Sequence, residues 1–120
     1  MVLKLIRIIL GKVILTLDRL FSPTPRLRSP ADQAEVDQAT ASLILYQYEA
    51  CPFCVKVRRA IRGLGLKIEL RDAKQKAVAE ELVAGGGELQ VPCLRIPQAG
   101  AAPRWLYESD AIIVYLESLA

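Results

Sequence analysis

The chain has 120 residues, 52% of them hydrophobic, with a formal net charge of +3 and no histidine. That length supports a single hydrophobic core, and the missing histidine excludes Ser-His-Asp and Cys-His catalysis within the chain, His-ligated zinc and a histidine pH switch. Three cysteines, two of them closely spaced, do not resemble the disulfide framework of a small secreted domain, so thiol chemistry is the main option left.

Neither the apolar content nor the charge is spread evenly. Fourteen of the first 21 residues are apolar, and residues 1–30 hold six of the sixteen bases against one acid, Asp18. Residues 31–120 carry ten bases and twelve acids, so the positive charge belongs to the N-terminal segment. At about 100° per residue, Lys4, Arg7, Gly11, Lys12, Asp18 and Arg19 fall on one side of a helix over residues 1–21. Ile6, Ile9, Leu10, Val13, Leu17 and Leu20 line the other side. The charges interrupt the run too often for a span of ~20 residues across a bilayer. They are also scattered through it, with no small-residue cleavage site after an apolar core, so a cleaved secretory leader is not expected. Two readings fit this basic amphipathic helix: one lies in the interface of an anionic membrane, the other packs its apolar face on the domain or on a second copy. Nucleic acid is not an expected partner, because aromatic interleaving and a binding motif are both lacking.

Residues 22–42 read as a linker. Ser22-Pro23-Thr24-Pro25-Arg26-Leu27-Arg28-Ser29-Pro30 is extended and proline-rich. Residues 31–42 (ADQAEVDQATAS) are polar and Ala-rich, fitting either a helical turn or no regular structure.

From residue 43 the pattern becomes that of a folded domain. Residues 43–48 (LILYQY) read as a buried strand, and residues 55–64 as a helix with Val57, Ile61 and Leu64 inward. Gly63 and Gly65 end that helix, and residues 67–71 alternate as a second strand. A second helix fits residues 73–84, stopped by Gly85-Gly86-Gly87. Residues 91–96 and 103–107 read as a hairpin around a turn at 97–102, and a last helix covers residues 111–119 with Ser109 or its neighbour as N-cap. The order is βαβ followed by αββα, an α/β domain over residues 43–120.

Cys51-Pro52-Phe53-Cys54 lies where a strand ends and a helix begins. Unpaired N–H groups at the helix start stabilise a thiolate at Cys51, and Cys54, about one turn on, is placed to resolve a mixed disulfide formed there. Pro52 suits the first turn, where its missing N–H costs nothing. Half of a zinc or iron-sulfur site and two inert core residues are the competing readings; a metal wants a second thiol pair and Cys93 supplies one thiol, so no metal is expected. Val91-Pro92 fits both a cis bond facing the thiols and an ordinary edge-strand proline.

Taken together, Cys51-Pro52-Phe53-Cys54, Val91-Pro92 and Glu108-Ser109-Asp110 at these spacings resemble the glutaredoxin family, with the thioredoxin-like fold of the glutaredoxin and glutathione-transferase N-terminal-domain type. The resemblance covers residues 43–120. It implies a mixed four-stranded sheet flanked by helices, and a glutathione-dependent thiol-disulfide oxidoreductase acting on protein disulfides or protein-glutathione mixed disulfides. It implies glutathione as co-substrate: Cys51 forms the mixed disulfide, Phe53 flanks it, the Val91 backbone before Pro92 pairs with the cysteinyl unit, and Glu108, Ser109 and Asp110 hold the γ-glutamyl end. A glutathione pool implies the cytoplasm, with the N-terminal helix as a peripheral contact to the inner face of a membrane. Three departures stand out: Glu49 where many members have Lys, Gln90 where Thr is common before Val-Pro, and the extra thiol Cys93. Cys93 reads first as a small buried strand residue, with an extra redox thiol or metal ligation as alternatives. Two alternative functions are a glutathione-binding iron-sulfur carrier and a transferase-like protein; the latter is less expected because no helical domain follows Ala120 to hold a second substrate.

Overall fold

The computed structural model describes residues 2–21 and 23–120; Met1 and Ser22, read above as the start of the helix and of the linker, lie outside the described residues. In chain order the elements are α1 (Val2–Leu20), α2 (Pro30–Thr40), β1 (Ile44–Gln47), α3 (Pro52–Leu64), β2 (Glu69–Asp72), α4 (Lys76–Gly86), β3 (Cys93–Gln98), β4 (Ala101–Leu106) and α5 (Ser109–Leu119).

The strands form one sheet in the order β2-β1-β3-β4. β1 runs parallel to β2, as the intervening helix requires, and antiparallel to β3; the β3–β4 hairpin completes the mixed sheet. Side chains on β1 alternate between two cores. Leu45 joins Val57 and Ile61 of α3, Leu94 and Ile96 of β3, and Ile112 and Leu116 of α5 on one face. Tyr46 joins Cys93 and Leu82 of α4 on the other, with Trp105 and Tyr107 packed against them. This is the α/β thioredoxin-like arrangement with an additional N-terminal helix.

The hairpin is tighter than the turn at 97–102 implied. Pro97 lies within β3 at a register shift between Ile96 and Gln98, where a residue without an N–H is tolerated, and Gly100 at φ +70° closes the reversal. Pro103 sits in β4, an edge strand.

Helix α4 runs through Gly85 and Gly86 instead of stopping at them. Their role is spacing: an added Cβ at Gly85 would come within 2.0 Å of Trp105 Cζ2, and one at Gly86 within 2.0 Å of the Tyr107 hydroxyl. The aromatic side chains of the hairpin end therefore lie directly on the helix backbone. Gly87, at φ +92°, provides the left-handed C-terminal residue that ends the helix.

The stretch at 31–42 is largely a regular helix. Ser29 accepts the Asp32 N–H at 3.2 Å and Pro30 occupies the first turn, so a sound N-terminus starts α2 without apolar periodicity. Val36, the apolar residue in its middle, packs against the α3–α5 core, and Gln33 donates to the Gly65 carbonyl at 3.0 Å. The preceding residues are tied down as well, with the Arg26 N–H donating to the Gly63 carbonyl at 3.0 Å.

Helix α1 docks on α3 through a mixed stripe of Gly11, Ile14, Leu15 and Asp18. Gly11 is buried, Ile14, Leu15 and Asp18 are half-buried, and the stripe they form follows helical spacing. Asp18 forms ion pairs with Arg59 at 3.1 Å and with Arg62, and Arg59 Nη2 donates to the Phe21 carbonyl at 2.7 Å. Ile6, Ile9, Leu10, Val13, Leu17 and Leu20 remain exposed. The contact with the domain thus uses the side opposite to the apolar face.

Candidate functional site

β1 brings the chain to the sheet end, residues 48–50 turn, and Cys51 becomes the N-cap of α3 with φ −73° and ψ 126°. Its carbonyl accepts the Val55 N–H at 2.9 Å, Pro52 occupies the first turn, and no side chain caps the helix, so donors at this end stay available to the Cys51 sulfur. Cys51 is partly exposed and Cys54 is fully buried at 0% exposure; both are free thiols.

The two sulfurs differ in environment. Cys54 Sγ accepts the Tyr48 N–H at 3.4 Å. Burial is nevertheless the larger influence, and with the neighbouring Cys51 thiol it pushes Cys54 up to about 12, against the lowering effect of Tyr48 and Arg58. Cys54 is therefore a protonated, inward-facing thiol at neutral pH, while Cys51 is the sulfur a substrate can reach.

Arg58 holds this geometry, and the sequence reading missed it. The residue is 9% exposed, and its guanidinium donates to the Gln47 side-chain carbonyl, to the Tyr48 carbonyl at 3.2 Å and to the Glu49 carbonyl at 2.6 Å. A helical residue thereby clamps the turn that delivers Cys51. The available signal was an arginine on the inward stripe shared by Cys54, Val57 and Ile61. Glu49, the departure before the first cysteine, contributes its backbone to that clamp and lines a hollow of about 420 Å³ with Tyr48, Ala50, Cys51, Asp72 and Lys74. Lys74 Nζ stands 4.4 Å from the Tyr48 ring centroid, a cation–π contact.

On the far side of Phe53 lies a groove of about 270 Å³ lined by Phe53, Gln90, Val91, Pro92, Tyr107, Glu108, Ser109 and Asp110. All six residues expected around glutathione are thus brought to one groove, together with Gln90 and Tyr107. The Val91-Pro92 peptide bond is cis, and Pro92 precedes β3 instead of lying in it. Of the two expected positions, Glu108, the neighbour of Ser109, is the N-cap of α5; Ser109 is the first helical residue, and the first intrahelical bond runs from the Ile112 N–H to the Glu108 carbonyl at 2.9 Å. The N–H groups of Ser109, Asp110 and Ala111 consequently point out of the helix end, a suitable cradle for a carboxylate. Asp110 pairs with Lys56 of α3, another residue the sequence reading did not single out. Both side chains are well exposed, so the pair is of the kind worth about 0–1 kcal/mol and is readily exchanged for a ligand ammonium.

Cys93 does not join the thiol pair in either hollow. It is fully buried on β3 opposite Tyr46, and burial pushes its thiol up to about 12 despite a hydrogen bond with Tyr107. This environment suits a small core residue. Among the described residues no group of three or more His, Cys, Asp or Glu could hold a metal ion, and no helix is long and apolar enough to cross a membrane.

No curated protein matches the chain. Among solved structures it is similar to a maleylacetoacetate isomerase from Anaeromyxobacter dehalogenans, crystallised with dicarboxyethyl glutathione and citrate, at 29% identity and a TM-score of 0.40. The match covers 64% of this chain and 34% of the isomerase, so this chain spans about a third of that protein's length. Residues 45–120 match the family described as Glutathione S-transferase, N-terminal domain. That match takes in β1 from its second residue, the thiol pair, the groove and α5, and it covers more than half of the chain, so the protein belongs to the family of glutathione S-transferase N-terminal domains.

Proposed function

We propose that the protein is a glutathione-dependent thiol-disulfide oxidoreductase of the glutaredoxin type. The observation that carries this reading is the unequal thiol pair at the start of α3, Cys51 accessible and Cys54 buried, next to the groove between Phe53 and the α5 N-terminus. The family supports glutathione as the co-substrate. The outward N–H groups of α5 suit the γ-glutamyl carboxylate, and Asp110, exchanging Lys56 for the ligand, suits its ammonium.

In the reaction, the Cys51 thiolate attacks the glutathione sulfur of a mixed disulfide. The substrate thiolate leaves and takes up a proton, and Cys51 carries the glutathione. A second glutathione thiolate then attacks that sulfur, which releases oxidised glutathione and regenerates the Cys51 thiolate. Cys54 provides the other exit, an internal disulfide with release of glutathione. That exit first requires Cys54 to lose its proton, and burial, the main cause of its raised value, persists after Cys51 has reacted. Free glutathione needs no such step at Cys54 and resolves glutathionylated substrates directly, whereas a protein disulfide, which leaves the substrate covalently held on Cys51, is resolved by the neighbouring Cys54 thiol.

The test is reduction of a glutathionylated peptide and of a protein disulfide in an assay coupled to glutathione. Cys51→Ser should abolish both activities. Cys54→Ser should keep deglutathionylation and lose protein disulfide reduction. Full activity in Cys51→Ser, or equal losses of both activities in Cys54→Ser, would refute the roles assigned here.

A further inference from the structure

We infer that α1 is an interfacial anchor for an anionic lipid bilayer, docked so that the thiol site lies beside the membrane surface. The inference starts from a contrast between the two sides of the helix. An amphipathic helix that serves only to fold would bury its apolar face; α1 turns that face outward, with Ile6, Ile9, Leu10, Val13, Leu17 and Leu20 between 45% and 70% exposed. A contiguous exposed apolar strip along a helix of about 28 Å is a surface that marks a partner.

The charge on α1 identifies that partner. Its one acid, Asp18, is turned inward and neutralised by Arg59 and Arg62. Besides apolar residues and Thr16, the helix exposes four bases, Lys4, Arg7, Lys12 and Arg19. An apolar strip with Lys12 and Arg19 toward one edge, and Lys4 and Arg7 further round the helix, fits acyl chains beneath anionic headgroups, with the long basic side chains reaching up to the phosphates. A second copy fits less well, since pairing two such strips would bring the bases beside them on both helices together, and Asp18, the one acid of the helix, is already held by Arg59 and Arg62.

Docking also fixes where the chemistry sits. Gly11 lies so close to Ala50 that an added Cβ would be 3.1 Å from the Ala50 Cβ, and Ala50 directly precedes Cys51 and lines its hollow. With the apolar strip in the bilayer, the Cys51 hollow lies about one helix diameter, ~10 Å, from the boundary. This placement does not depend on the glutathione reading.

The full chain is tested by flotation with vesicles of phosphatidylcholine alone and of phosphatidylcholine with phosphatidylglycerol. Binding is expected to the second only, and to fall with added salt. Lys12→Ser and Arg19→Ser should each weaken it about fivefold. Leu10→Asp with Val13→Asp, at exposed positions, should abolish binding while the far-UV circular dichroism is retained. A donor fluorophore on Cys51, the accessible thiol, should transfer energy to a headgroup acceptor. Binding to neither vesicle, equal and salt-insensitive binding to both, or a stable dimer that excludes vesicles would overturn the anchor. Bound protein without energy transfer would overturn the placement of the site.

Discussion

Replacing Arg58 by methionine should loosen the turn before Cys51 and destabilise the whole domain. Methionine keeps much of the side-chain length but removes every donor. The Gln47 side chain and the carbonyls of Tyr48 and Glu49 then lose their partner in a region where Arg58 as a whole is only 9% exposed. Hydrogen bonds from a charged donor contribute about 1.5–3 kcal/mol each, but three bonds from one group are not additive, and the two carbonyls can recover part of the loss from water. A net cost of about 2–4 kcal/mol follows. With a urea slope of about 1–3 kcal/mol per molar, the unfolding midpoint should fall by roughly 1–2 M. The local effect is read separately, as the alkylation rate of Cys51 by iodoacetamide in folded protein, which should change in Arg58→Met and recover only partly in Arg58→Lys. An ammonium has no planar fork with which to span all three acceptors. An unchanged midpoint together with an unchanged alkylation rate in Arg58→Met would refute the clamp.

Two further expectations concern the opposite face of the sheet. Gly85→Ala should destabilise by about 1–3 kcal/mol although alanine favours a helix by about 1 kcal/mol, because its Cβ would meet the Trp105 ring at 2.0 Å. The same substitution made on Trp105→Leu should lose most of that penalty in a double-mutant cycle of urea midpoints, and an equal penalty in both backgrounds would dismiss the contact. The buried thiol of Cys93 should make the fold sensitive to alkali. Its folded value of about 12 lies above the ordinary 9.0, so its contribution is fully present below pH 9 and is lost as pH rises toward 12. Under reducing conditions, Cys93→Ala should flatten the alkaline fall in stability by up to about 1.4 kcal/mol per pH unit over that window, and an unaltered slope would show that Cys93 is not protected as described.

Much of this architecture was legible in local pattern. The short apolar and aromatic run ahead of Cys51 and the helical period after it determine β1 and α3, because burial on both faces of a strand or along one stripe of a helix imposes its pattern on the residues. The thiol motif at their junction could be read for the same reason, as it depends on neighbours in sequence. Helix α2 was harder to see: with a single mid-helix apolar residue, Val36, its stability comes from the Ser29 cap and from packing on residues distant in the chain. The glycines of α4 were misleading, since a Gly-Gly-Gly run normally ends a helix, and only the approach of Trp105 and Tyr107 shows why two of them lie inside it.

By itself the sequence determined the apolar, basic character of α1, the thioredoxin-like order of elements and the residues that gather around the groove. Tertiary structure decided the rest, because each remaining feature rests on partners far apart in the chain. It turned Cys54 inward and left Cys51 within reach, set Arg58 across the turn that precedes Cys51, and buried Cys93 beneath Trp105 and Tyr107. It also chose which side of α1 meets the domain. A hydrophobic period says only that a face seeks cover; that Asp18 would find Arg59 and Arg62, and so leave the apolar strip outward, follows from a salt-bridge cluster spanning some forty positions of sequence.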